Sequence, residues 1–341
     1  MPDTNALPTA RQGKPGCGAA RRGFFHGARW WWWWTPAGIL IFGLALWATP
    51  AHALEQAFPA PWPWWVWPVL LFFLTFVLGI VAVVAGIGGS VLFVPLVSGF
   101  LPALHIDFVR GAGLMVALSG ALSAGPGLLR QGLAHLRLAI PISLVASFAS
   151  IFGALAGLAL PAQAVQTALG LVIIAMSGLM VFSGTGVSSY AGKPDRLVDW
   201  LGIEGIEVDP ESGQSQTWRP RRMALALCLF SGVGFMAGLF GLGAGWANVP
   251  LLNMLMGVPL KAAVATSYFL LAITDTSAAW VYFHRGALIP LIVIPSVLGI
   301  MLGAKIGAKV LIAVRPVVVR RVVIGVLLLA GLRALLRGMG I

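Results

Sequence analysis

The chain has 341 residues, of which 59% are hydrophobic and only 9% charged, against roughly 25% charged residues in an ordinary soluble domain. A soluble domain with so little charge would expose large apolar patches, so the composition excludes one and points to the bilayer. The formal net charge of +12 arises from 22 Lys and Arg scattered between apolar segments, with no basic stripe interleaved with aromatic residues. This excludes a nucleic-acid partner and leaves the cations to orient spans by the positive-inside rule.

In chain order, a basic leader (Arg11, Lys14, Arg21, Arg22, Arg29) runs into a Trp-rich apolar stretch and then Ala51-His52-Ala53, a small-x-small sequence. Residues 1–53 are therefore either a cleaved signal peptide or a retained anchor helix, and both readings leave Leu54 on the outer side. Trp30 to Trp34 and the run from Pro59 to Pro68 suit interfacial aromatic belts. Apolar segments follow at about 64–84, 87–101, 109–129, 138–160 and 163–185, and a second set at about 223–240, 244–257, 262–283, 288–313 and 317–336. Most approach the roughly 20 residues of a helical span, and none alternates like a barrel strand. The second member of each set is short. The predicted fold is an all-α polytopic membrane protein: a repeat over 62–187, a polar cytoplasmic loop over 188–222, and a second repeat over 223–341.

Shifting the sequence by 155 positions aligns Gly79 with Gly234, Gly86 with Gly241, Gly88 with Gly243, and Val94-Pro95-Leu96 with Val249-Pro250-Leu251. Pro141 then falls near Pro295, and Gly153 near Gly307. Single glycine matches carry little weight in such a chain; the ordered series argues for a repeat. If each short segment crosses, the halves have five crossings and are inverted; if it only completes a broken helix, they have four and run parallel. Five crossings put Arg130, Arg137, the central loop, Lys261, Arg315, Arg320 and Arg321 inside, which favours the inverted arrangement.

AGIGGSVLFVPL (85–96) and FGLGAGWANVPL (240–251) place a glycine cluster inside apolar sequence in each half. A break frees backbone groups that lipid cannot satisfy, so it belongs against protein or a cavity. A helix restarting there would aim its first N–H groups and positive dipole end into that cavity, where an anion is the natural occupant. The expected anion set is Gly86, Gly88, Gly89 and Ser90 in one half, with Gly241, Gly243, Gly245 and Asn248 in the other, Asn253 lying nearby. Close helix packing is the competing reading of the same glycines. Asp275, near the middle of an apolar run, either couples a proton or is a permanently protonated packing acid. Arg110, with His105 and Asp107, reads as an interfacial cation at a span mouth. Five histidines without ligand spacing, and cysteines only at 17 and 228, predict no metal, no cofactor and no enzyme.

The two glycine-rich segments, the second followed by GVPLKAAVATSYF, resemble the paired signature of the TauE/SafE sulfite exporter family from about residue 66 onward. The resemblance implies a multi-pass inner-membrane transporter of sulfite or a related sulfur oxyanion or sulfonate, working by alternating access. Its partners would be that anion and the bilayer, with a homo-oligomer left open. It implies roles for Pro95, Pro250, Lys261, Thr266 and Ser267 beside the glycines. The first copy departs from the pattern, reading Arg110-Gly111-Ala112-Gly113 where the second has Ala-Thr-Ser. A membrane scaffold that docks a cytoplasmic partner through the central loop is the alternative of a different class.

Overall fold

The structure is a computed structural model and describes residues 65–85, 88–100, 105–130, 134–182, 195–208 and 215–310, with short pieces between 324 and 339. The leader and Gly86 lie outside the described residues. The first half comprises α1 (Val66–Ala85), the short α2 (Ser90–Phe100), α3 (Ile106–Arg130), α4 (Leu136–Ala159) and α5 (Ala162–Phe182). The second comprises α7 (Met223–Phe240), the short α8 (Gly245–Pro250) widening into a π-type turn at Leu251–Leu255, α9 (Leu260–His284) and α10 (Pro290–Val310). Five described helices, α1, α3, α4, α7 and α10, are long and apolar enough to cross a membrane, as a polytopic membrane protein requires. The 25-residue α9 has the length as well, but it carries Lys261, Asp275 and His284.

The polar stretch between the halves is not plain loop. It holds one helical turn, α6 (Arg196–Leu201), and a short antiparallel pair, β1 (Gly205–Val208) with β2 (Ser215–Trp218), so the protein is helical in its apolar part rather than throughout. Val198, Ile203 and Trp218 from this insert bury themselves among Leu138, Met223 and Met256 at one end of the helices. Arg137 adds a 3.3 Å bond to the Gly202 carbonyl.

Small residues set the helix pairs. Along α10, Gly299 meets Phe72 and Thr75, Gly303 meets Phe76 and Gly79, and Gly307 meets Ile80, so α1 and α10 run parallel with backbones close together. On α7, Gly234 packs on Ala146 and Gly238 on Ser150 and Ala154, while Gly157 lies against Leu239; α4 and α7 are likewise parallel. Helix α3 runs with α10, from Gly111 beside Ala287 to Gly120 beside Ile300 and Ser123 bonded to the Met301 carbonyl at 2.7 Å. Helix α9 runs with α4, from Thr266 at His135 to Thr274 at Ser150.

Helices α3 and α9 are antiparallel. Arg110 sits over the Tyr282 ring at one end, and Ala121 and Ala124 pack with Tyr268 and Ala265 at the other. The bundle thus has two sets of opposed direction, α1, α3 and α10 against α4, α7 and α9. Since α1 and α3 run the same way, the segment between them must return, and α2 does so. Val94 packs on Gly113, whereas Ser90, at the start of α2, lies level with Ala117 farther along α3. The same holds for residues 241–259 between the parallel helices α7 and α9.

Candidate functional site

Each returning segment starts irregularly and becomes helical only after its glycines. Gly88 and Gly243 have φ of +78° and +65°, conformations that an L side chain rarely adopts, so the breaks need glycine at these positions. The helices then restart at Ser90 and Gly245, with Pro95 and Pro250 each five residues further on.

The two restarts meet. Ser90 Oγ donates to the Leu242 carbonyl, bridging the first break to the second. A methyl group on Gly88 would stand 3.8 Å from the Gly245 Cα and 3.6 Å from the Leu271 side chain. One on Gly243 would stand 2.9 Å from Asp275 Oδ2, 3.0 Å from Ser90 Oγ and 3.1 Å from the Ala117 Cβ. Ala117 and Asp275 lie near the middles of α3 and α9, so the junction sits at mid-depth of the bundle. Gly88, Gly89, Ala117, Gly120 and Tyr268 help to line a cavity of about 10 Å³, room for about one water. A sulfur oxyanion needs the surrounding helices to part.

The structure gathers Gly88, Gly89, Ser90, Gly243, Gly245 and Asp275 at this junction, while Gly241, Thr266, Asn253 and Lys261 serve elsewhere. Gly241, φ +68°, packs on the Arg110 backbone and closes α7 against α3. Thr266 Oγ1 accepts from the His135 backbone N–H at 3.1 Å, so it fastens the start of α4. Asn253 Nδ2 donates to the Val258 carbonyl at 2.9 Å and steadies the π-type turn. Lys261 lies exposed in the first turn of α9.

Several groups remain unsatisfied. Asn248 and Ser267 are 1% exposed, Thr274 and Asp275 fully buried, yet both Asn248 amide atoms, the Ser267 and Thr274 hydroxyls and both Asp275 oxygens lack a hydrogen-bond partner. The Ala244 amide faces Asp275 without reaching good hydrogen-bond geometry. Positions 267, 271, 274 and 275 fall on one helical face, the face Leu271 turns to Gly88. An ionised side chain at mid-depth costs about 3 kcal/mol even on the mildest scales, so a carboxylate kept there without a partner is a functional signal. Thr274, beside Asp275 in the same polar run of the sequence, joins these open groups although the sequence assigns it no site role.

Arg110 is the larger surprise, since the sequence places it at a span mouth and the structure buries it fully. It pairs with Asp107 one turn earlier and donates to the Leu239 carbonyl at 2.8 Å and the Gly157 carbonyl at 3.1 Å. Both carbonyls belong to last turns, of α7 and α4, whose C-terminal ends carry free acceptors and partial negative charge. Arg110 is thus a shared cap for two helices, and its cationic head is already committed. The pairing signal was the Asp107 to Arg110 spacing of three.

Opposed helix directions, paired glycine breaks meeting at mid-depth and a buried carboxylate define a class: polytopic helical membrane proteins with broken helices, the architecture of many secondary transporters. The description "Sulfite exporter TauE/SafE" matches residues 71–334, and the chain belongs to that family, which is one of membrane transporters rather than enzymes. It is 25% identical over 239 residues to the probable membrane transporter protein ORF9 of a Sinorhizobium species, a match covering 70% of this chain and 81% of that protein. It is 26% identical over 165 residues to the probable membrane transporter protein YunE of Bacillus subtilis, covering 39% of this chain and 60% of the relative. No solved structure matches the chain.

Proposed function

We propose that the protein is a secondary transporter of the inner membrane that moves a small anion, sulfite or a related sulfur oxyanion or sulfonate, by alternating access at the junction of the two breaks. The observation that carries this reading is the meeting of Ser90 with Leu242 and of Gly88 with Gly245, which brings irregular backbone from both halves to one place. Such backbone is tolerated at membrane depth only where protein or a cavity covers it.

The halves are inverted repeats over 62–187 and 223–341, each crossing five times. Their helix pairs support this, because exchanging the halves turns α1–α10 into α7–α4 and returns α3–α9 to itself. The same exchange swaps the two opposed sets of helices. The prolines agree: Pro141 and Pro295 also lie five residues into α4 and α10. Within the junction the neutral donors Asn248 and Ser267 hold the anion beside the restarted helix. Asp275 carries a coupling proton.

Counterflow of labelled sulfite, sulfate and a sulfonate in proteoliposomes tests the reading. We expect saturable exchange of at least one of them, and exchange of none would overturn it. Asp275→Asn should abolish the dependence on an imposed pH gradient; an unchanged dependence contradicts the proton role.

A further inference from the structure

The junction brings three oxygen groups together beside Gly243, where the Ala244 N–H also faces the carboxylate. Ser90 Oγ and Asp275 Oδ2 both lie within 3.0 Å of the point that a Gly243 side chain would fill. The Leu242 carbonyl, freed by the break, already touches Ser90 Oγ. Carboxylate, carbonyl and hydroxyl oxygen form a hard acceptor set, which suits a small hard cation. Glycine at 243 is what lets these oxygens approach so closely, because a Cβ there would crowd both of them. The carboxylate itself is fully buried and without a partner on either oxygen.

We propose that Ser90 Oγ, the Leu242 carbonyl and the Asp275 carboxylate form a binding site for a monovalent cation, sodium, at the meeting point of the two breaks. The site's use in coupling rests on the transporter reading; its existence does not. Sodium and a proton exclude each other there, since the protonated acid no longer offers a charge. The other ionisable groups on the elements around the junction are Asp107 (paired with Arg110), Arg110 and Arg130 on α3, the exposed Lys261 and His284 with Tyr268 and Tyr282 on α9, and Lys305 and Lys309 on α10. Arg110 is engaged with Asp107 and two carbonyls, Tyr268 donates toward the Ala82 carbonyl at 3.5 Å, and Tyr282 bonds the Gly238 carbonyl at 3.0 Å. Both α10 lysines are exposed. Asp275 is therefore the one acid among these groups that can take either ion. The cation at the oxygen cage and the anion one turn along α8, at Asn248, would then sit as neighbours of opposite charge.

The test is binding of radiolabelled sodium to the purified full-length protein without any anion substrate, with potassium or N-methylglucamine as competitor, at alkaline and acidic pH. We expect saturable binding that potassium displaces poorly and that falls away on acidification. Asp275→Asn should abolish it and Ser90→Ala should weaken it about tenfold. If Asp275→Asn does not fold, Ser90→Ala carries the test alone. Absence of sodium binding, equal displacement by N-methylglucamine, or binding unchanged in Ser90→Ala overturns the site. A thermal stability that follows pH identically in sodium and in N-methylglucamine shows a site for protons only, and overturns the sodium assignment. Sodium binding without anion counterflow would leave this site standing and remove the transporter reading; counterflow without sodium binding would do the reverse.

Discussion

At the scale of single residues, burial and hydrogen-bond saturation sort groups that look alike in the sequence. Arg110 and Asp275 both sit within apolar segments. Arg110 closes two helix ends through its two Nη groups, whereas neither oxygen of Asp275 has a partner in good hydrogen-bond geometry. Removing Arg110 strands Asp107 and two helix-terminal carbonyls. We therefore expect Arg110→Ala to destabilise the protein by about 3–5 kcal/mol in reversible denaturation in mild detergent. Arg110→Lys should recover little of this, because an ammonium cannot span the α7 and α4 carbonyls as a planar fork does. A native melting curve for Arg110→Ala would refute the shared cap. The same sorting separates Thr266 from Ser267: adjacent in sequence, one is fixed to the His135 backbone and the other is left with an open hydroxyl. Only their surroundings in the fold tell them apart, since both are buried and both resemble site residues in the linear pattern.

At the scale of elements, the glycine echo in the sequence divides into two physical roles. Gly79, Gly234, Gly153 and Gly307 lie in continuous helices and let backbones touch, while Gly88 and Gly243 turn the chain. Close packing and the turning of the chain thus fall to different glycines. We expect Gly238→Val and Gly303→Val to abolish folded protein, because any Cβ there would collide with the Ser150 or Phe76 carbonyl. Gly232→Ala, with nothing nearby, should be neutral or stabilising by up to about 1 kcal/mol; both outcomes are read from fluorescence-detected size-exclusion and melting. The insert provides a pH prediction. His135, just before α4, meets the Trp218 ring edge-on at 4.9 Å, and burial, aided by Arg137, lowers its pKa from 6.5. A depressed histidine pKa favours the neutral form in the folded state, so this contribution is full above about pH 6.5 and is lost as pH falls below it. Trp218 should become more exposed to an aqueous quencher on acidification in the wild type, and His135→Asn should flatten the response. The insert's α6 and β pair were hidden in the sequence because their elements are a few residues long and owe their order to three buried side chains rather than to periodicity.

At the scale of the molecule, the membrane architecture and the pairing of the breaks were legible early, because low charge and an ordered Gly and Pro series survive without any structure. Crossing number was not, since short α2 and α8 could equally have extended α1 and α7; it took the parallel course of α1 and α3 to show that the chain returns. On the proposed five crossings in each half, the insert would lie on the inner side. A cysteine at exposed Glu204 should thus react with an impermeant thiol reagent in inside-out vesicles and not in intact spheroplasts; the opposite pattern would contradict the topology. The central claim is that the junction of the breaks is the transport centre, opened to each side in turn. Reactivity of Ser90→Cys tests it most directly, with Cys17 and Cys228 replaced by serine. The account predicts modification by impermeant thiol reagents applied from either face, protection by sulfite or another transported anion, and loss of counterflow once the site is modified. Modification from neither face, or modification that leaves counterflow intact, would contradict it.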